Sequence, residues 1–258
     1  PGYLPAVGGV EHHVKDISEA LARQGHDVTV VTMSHKRDLP KLETIGKVSI
    51  RRLLAVGPQS YRYPIGMLGF LLRVAPEFDI IHAHNYGALP LLLALLAGGK
   101  RTVITPHFHG RSHSSIANTL HFVYDPIAIP VLKRAGRVVC VSRGEADQVA
   151  RRFRIARDRI AVIPNAISFN KFNVNENSRC EGTNTLILSV GRLVAYKRVD
   201  KVIKALRYLP AEYFLIVIGT GPILNVLEKT AHSNGVGSRV RFFGEVEEGE
   251  LFKWYARS

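Results

Sequence analysis

A short apolar run followed, after a loop, by an apolar pattern at helical spacing recurs along most of this chain. That repetition restricts it to an α/β architecture. The unit at residues 185–206 shows it most plainly. Residues 185–190 (TLILSV) read as a strand buried on both faces, and Val199, Val202, Ile203 and Leu206 then recur at the spacing of a helix face. Further strands are expected at residues 28–33, 48–53, 80–84, 102–105, 137–141, 160–163, 214–218 and 240–243, with helical patterns between most of them. This implies mostly parallel, doubly wound sheets. A polar, Asn-rich stretch from residue 168 to 184 interrupts the series and reads as a linker. The expected organisation is one domain over residues 1–168, a linker at 169–184, and a shorter βα series at 185–258.

Arg192 and Lys197 fall in the loop between the strand and the helix of that unit. In open α/β sheets ligands bind outside the carboxyl ends of the strands, where helix N-termini present free N–H groups to anions. Two cations added there suit a diphosphate. Cations in a loop can equally be solvated surface, so the assignment draws its weight from the rest of the chain.

The 258 residues, 46% hydrophobic, suffice for a large core, and nothing in the composition indicates disorder. The net charge of +14 is unevenly spread: residues 1–175 carry 23 Lys and Arg against 12 Asp and Glu, residues 176–258 only 12 against 9. Basic clusters stand at Arg51–Arg52, Lys100–Arg101, Lys133–Arg134 and Arg151, Arg152, Arg154, Arg157 and Arg159, and residues 61–73 (YRYPIGMLGFLLR) mix aromatics, aliphatics and Arg. Such a surface suits anionic lipid. Specific nucleic acid is disfavoured, since no helix-turn-helix, zinc-finger or RNP-like motif accompanies the charge. Cys140, in an apolar strand, and Cys180, in the linker, form neither a zinc pattern nor a disulfide framework, so a reducing cytoplasm is expected, with peripheral membrane contact from that side. The longest apolar run, residues 88–98, is too short to span a bilayer and reads as a buried crossover helix. No signal peptide is visible at this N-terminus.

Several segments, in order, resemble the motifs of retaining glycosyltransferases of family 4. Residues 191–197 (GRLVAYK) are similar to the family's G-R-L-x(3)-K motif, residues 4–11 (LPAVGGVE) to its glycine-rich loop, residues 79–84 (DIIHAH) to its D-x-I-H-x-H strand end and residues 105–107 (TPH) to its T-x-H strand end. Val141–Ser142 and residues 163–166 (IPNA) match its V-S and I-P-N-G segments, with Ala166 in place of Gly; residues 219–222 match its G-x-G-P turn and residues 240–244 its R-V-x-F-x-G strand. The resemblance implies the GT-B fold, two Rossmann-like domains facing a cleft. The second domain is expected to be incomplete, because the chain stops before the position of the family's E-x(7)-E motif. The first strand of the N-terminal sheet is likewise expected to be missing, and the chain by itself is expected to be inactive.

The implied chemistry is retaining, metal-independent transfer of a hexose from a nucleotide diphosphate sugar, with no cofactor, to a lipid-linked or sugar acceptor. As the donor bond breaks, charge grows on the leaving diphosphate, and fixed cations there lower the barrier. Arg192 and Lys197 are the candidates, and no D-x-D pair occurs to hold a metal. By resemblance Gly8, Gly9, Gly219 and Gly221 are donor-binding, and His107, with His109 and Asn165, lies near the sugar or acceptor. His82 and His84 are expected on opposite faces of their strand, and His12 and His13 at the surface of the first helix. The loops at residues 34–45 and 111–121 are expected to vary with the acceptor. Two alternatives stand: a non-catalytic fragment or degenerate relative that binds nucleotide or polyanion, and a nicotinamide-dependent oxidoreductase, the latter disfavoured because no G-x-G-x-x-G follows a strand.

Overall fold

The computed structural model describes residues 3–5, 8–34, 39–57, 63–108, 110, 115–166 and 185–258. The predicted linker at 169–184, His109 and Cys180 lie outside the described residues. The chain forms two compact units, Pro1–Ala166 and Ile167–Ser258.

The first unit opens with helix α1 (Gly9–Arg23) and holds two sheets. In one, β1 (Val28–Ser34) lies parallel to β3 (Val48–Val56), β2 (Leu42–Ile45) pairs antiparallel with β3, and β4 (Tyr63–Pro64) pairs antiparallel with its end at Ala55 and Val56. Strand β2 lies in the segment predicted as a variable loop. Its four residues alternate exposed and half-buried, turning Glu43 and Ile45 inward, a run too short to stand out as a strand in sequence. The other sheet is fully parallel in the order β5 (Ile81–His84), β6 (Thr102–Thr105), β7 (Arg137–Cys140), β8 (Ile160–Val162). Between these strands run α3 (Leu89–Gly98), α4 (Ser115–Leu132) and α5 (Arg143–Phe153), while α2 (Met67–Val74) precedes β5. The predicted loop at 111–121 therefore becomes helical from Ser115 on.

Helix α3 is apolar on all sides and buries most of its length as a crossover, with Leu96 left exposed. Leu91 and Leu95 have no exposed surface, and each contributes about 1.5–3 kcal/mol of burial. Pro90 sits in its first turn, where a missing N–H costs no hydrogen bond. One predicted basic cluster is split, with Arg51 exposed and Arg52 buried. Arg52 alternates inward along β3, is 6% exposed, pairs with Glu43 at 2.5 Å and donates to the carbonyls of Leu4 and Pro40.

The second unit has a three-stranded parallel sheet in the order β9 (Thr185–Val190), β10 (Tyr213–Ile218), β11 (Val240–Phe243), with α6 (Val199–Leu206), α7 (Leu224–Ser233) and α8 (Glu248–Arg257). The central strand β10 is the buried one. Strand β9, predicted to be buried on both faces, is only half-buried, because it pairs with β10 alone among the described residues. Val199, Ile203 and Leu206 of α6 close the core, and Val202, expected among them, falls on the rim and is exposed.

Candidate functional site

In the second unit the connection from β9 to α6, residues 191–198, is held by its neighbouring loop as well as by its own turns. The Gly191 N–H donates to the carbonyl of Ile218 at 2.9 Å and the Leu193 N–H to that of Thr220 at 2.8 Å, so the ladder between β9 and β10 continues past both strand ends. Leu193 anchors the segment at 1% exposure, leaving Arg192 exposed beside it. Gly219 has a φ of +132°, and a Cβ placed on it would lie 2.2 Å from the Gly191 carbonyl oxygen; one placed on Gly221 would lie 2.2 Å from that of Leu193. Both glycines are thus required by the close approach of two backbones. Lys197 ends a 3-10 turn just before α6 and is exposed, 5.9 Å from the ring centre of Tyr196. Arg198, with a φ of +56°, pairs with Asp200 at 3.1 Å. Among the described residues, neither Arg192 nor Lys197 has a carboxylate partner, so their charge is available to an anion.

In the first unit the parallel pair β5 and β6 brings histidines together. His82 and His84 were expected on opposite faces, but side chains two apart in a strand share a face, and their rings lie 4.2 Å apart. The β5 to β6 ladder also continues past its strands, with the Asn85 N–H donating to the Thr105 carbonyl at 3.0 Å and the Tyr86 N–H to that of Pro106 at 2.7 Å. His107 follows with a φ of +49°. Its Nε2 stands 3.4 Å from His84 Nδ1. His13, predicted at the surface, instead presents its ring edge to both, with centroids 5.5 Å from His84 and 5.0 Å from His107, whereas His12 is exposed as expected. Its place on α1 explains this: it lies four residues before Ile17, at the border of the apolar face.

Burial, with the neighbouring imidazoles adding to it, holds the His84 pKa down at about 2. Burial, then His13, lowers that of His82 to about 4, and burial lowers that of His13. His13, His82 and His84 are therefore neutral at ordinary pH. His82 Nε2 is engaged with Thr105 Oγ1 at 2.8 Å.

Two buried acids that sequence reasoning missed shape this strand-end region. Glu145 accepts the N–H groups of Phe108 and Val141, each at 2.7 Å, and so ties the segment after His107 to the start of α5. The S-x-x-E spacing of Ser142 and Glu145 is a helix-start signal that marks it, and Ser142 Oγ does accept the Glu145 N–H. Asp125 on α4 accepts from the Tyr86 hydroxyl and pairs with Arg152. Gly8 and Gly9 begin α1 in extended and helical backbone; a Cβ on Gly9 would meet open space and one on Gly8 only the Glu11 carboxylate. Neither glycine is required by packing against another element. Asn165 is exposed, three residues past β8.

The model of "Glycosyltransferase Family 4" matches residues 7–171, and that of "Glycosyl transferases group 1" matches residues 170–258. The uncharacterized glycosyltransferase MJ1607 of Methanocaldococcus jannaschii is 24% identical over 96% of this chain and 68% of its own length. The phosphatidylinositol N-acetylglucosaminyltransferase GPI3 subunit of Saccharomyces cerevisiae is 25% identical over 95% of this chain and 57% of its own. The chain thus spans between just over half and two thirds of the length of these relatives. Among solved structures, sucrose-phosphate synthase from Thermosynechococcus elongatus superposes with a TM-score of 0.73 at 21% identity, covering 99% of this chain and 69% of that one. Anabaena Alr3699/HepE in complex with UDP-glucose gives 0.69 at 17% identity, covering 95% and 68%. These likenesses show a shared fold.

Proposed function

We propose, since the chain belongs to glycosyltransferase family 4 through residues 7–171 and to the group 1 glycosyl transferases through residues 170–258, that it serves retaining, metal-independent transfer of a hexose from a nucleotide diphosphate sugar to a sugar or lipid-linked acceptor. The observation that carries this reading is the loop at residues 191–198, where Arg192 and Lys197 stand exposed and, among the described residues, without a carboxylate partner at the carboxyl end of a parallel strand. Positive charge fixed at that edge stabilises the diphosphate as it leaves, and it does so more in the transition state than in the bound donor. The loop is pre-set by its bonds to Ile218 and Thr220, so little reorganisation accompanies binding.

In the first unit, His107 is the candidate to hydrogen-bond the transferred sugar, with Asn165 near the acceptor. The bare backbone at Gly8 and Gly9, with open space over Gly9, allows close approach of a ligand to the start of α1.

The test uses the whole protein with UDP- and GDP-linked sugars. Arg192→Ala and Lys197→Ala should each lower turnover by about 100-fold, the loss typical of one oxyanion-stabilising donor, with unchanged circular dichroism, and EDTA should leave the parent rate intact. Unchanged rates in both variants would remove the phosphate-site assignment. Nucleotide binding with no transfer to any acceptor would favour a non-catalytic binding protein.

The acceptor side points to a membrane surface. Leu54, Val56, Tyr63, Ile65 and Leu72 are all exposed on the contiguous end of β3, β4 and α2, with Arg51 and Arg73 exposed on the same elements. Apolar side chains beside cations suit the boundary of an anionic bilayer, and no helix among the described residues is long and apolar enough to cross one. Co-sedimentation should rise with anionic lipid content and fall with salt. Equal binding to neutral vesicles would refute the electrostatic part.

A further inference from the structure

We infer that His13, His84 and His107 form a binding site for a divalent transition-metal ion of the zinc class, held by three imidazole nitrogens contributed by α1, the end of β5 and the segment after β6. The three side chains each offer a ligand atom, and these atoms all lie within 4.8 Å of one another. Zinc–nitrogen bonds of about 2.0–2.1 Å in a tetrahedron place two ligand nitrogens roughly 3.3–3.4 Å apart. The separation of His84 Nδ1 and His107 Nε2 is 3.4 Å. That spacing is long for a hydrogen bond, which prefers about 2.7–3.2 Å, and fits a shared ion.

The third ligand supplies an independent observation. His13 Nε2 is closed off from solvent and has no hydrogen-bond partner among the described residues. A buried polar atom in that state costs about 1–3 kcal/mol, a cost that an ion at the centre of the cluster offsets. The supporting shell is also in place. His82 packs on His84 and is itself fixed by Thr105, and Glu145 fixes the backbone just after His107. Three nitrogen donors leave a fourth position open, and the donor set is that of zinc, nickel or copper rather than magnesium or calcium, which require oxygen. The site shares His107 with the sugar contact proposed above, but it is argued from the geometry of the three imidazoles and not from the transfer reaction.

The experiment is a titration of the untagged protein with Zn2+ by calorimetry and with Co2+ by visible absorption, in a buffer free of imidazole. The site predicts saturable binding of one equivalent and ligand-field bands of a low-coordinate nitrogen site. His13→Ala should weaken binding by at least ~10-fold, the size of loss that even outer-shell changes produce, while His12→Ala on the exposed neighbour should leave it unchanged. His84→Gln, checked for folding by circular dichroism, gives a second loss that does not rely on α1. The inference is overturned if no saturable binding occurs, or if His12→Ala and His13→Ala weaken it equally.

Discussion

Alanine at Gly219 should be the most damaging of the three single-methyl additions around the Arg192 loop. The added Cβ would sit 2.2 Å from the carbonyl oxygen of Gly191, itself backbone, and Gly219 has a φ of +132° that an L side chain resists. The clash is worth about 1–3 kcal/mol by analogy with overpacked cores, and the backbone strain another ~1–3 kcal/mol. Gly221→Ala meets the Leu193 oxygen at 2.2 Å without the positive φ, and Gly191→Ala has a φ of +146° but open space, so each incurs only one of the two contributions. At roughly 2–4 °C per kcal/mol for a chain of this size, Gly219→Ala should melt ~4–24 °C below the parent, and the other two about half as far. Thermal unfolding by circular dichroism reads the order. Calorimetric titration with UDP and GDP reads the second consequence, because the Gly191 oxygen can retreat only by moving the segment that carries Arg192. A Gly219→Ala variant that melts with the parent and binds nucleotide diphosphate equally would refute the close approach of the two loops.

Other substitutions test the supports of the histidine cluster. Glu145→Ala removes the acceptor of two backbone N–H groups, Phe108 and Val141, and should destabilise the chain by about 2–6 kcal/mol in urea unfolding, at ~1–3 kcal/mol for each unpaired donor; Glu145→Gln, which keeps one acceptor oxygen, should lose less. Asp125→Ala removes the partner of the Tyr86 hydroxyl and of Arg152. Because the Arg152 side chain is 52% exposed and can turn to water, the loss should stay near ~1–3 kcal/mol rather than reach the ~3–5 kcal/mol of a fully buried pair.

The strands at residues 102–105, 185–190 and 240–243 were legible to the residue, since apolar runs between turn residues at βα spacing leave few alternatives. The loop cations were legible for the same reason, as a strand end and a helix start bracket them. Long-range partnerships were not. Glu145 reaches Phe108 across 37 residues, and Arg52 reaches Leu4 across 48. A local pattern marks such residues as helix start or strand member without saying what they hold. His13 shows the limit on a helix, where periodicity defines an apolar face but not which element covers its border. The misplacement of His82 and His84 was one of parity, and the period of two along a strand already put them together.

The two strand-end loops solve one geometrical problem with opposite chemistry. In each unit the first loop continues the parallel ladder for two bonds beyond the strands, Asn85 and Tyr86 onto Thr105 and Pro106 in one, Gly191 and Leu193 onto Ile218 and Thr220 in the other. Each needs backbone in the left-handed region, at Asn85 and His107 or at Gly191 and Gly219. In the second unit the segments approach so closely that glycine is required, and the side chains that remain, Arg192 and Lys197, turn outward and keep their charge. In the first unit Glu145 ties the segment after β6 to the start of α5, and imidazoles gather at this strand end, of which burial holds the His84 pKa down at about 2. Among the described residues, the basic clusters at Lys100–Arg101 and Lys133–Arg134 lie on the surface, and Arg52 is neutralised inside. Among the described residues the second loop offers an anion two exposed cations, whereas the first offers imidazole nitrogens, which suit a hydroxyl-bearing sugar or a metal ion. A phosphate bound at the histidines would contradict this division of labour, and competition of inorganic phosphate with Co2+ absorption, compared between the parent and Arg192→Ala, is the measurement that would expose it.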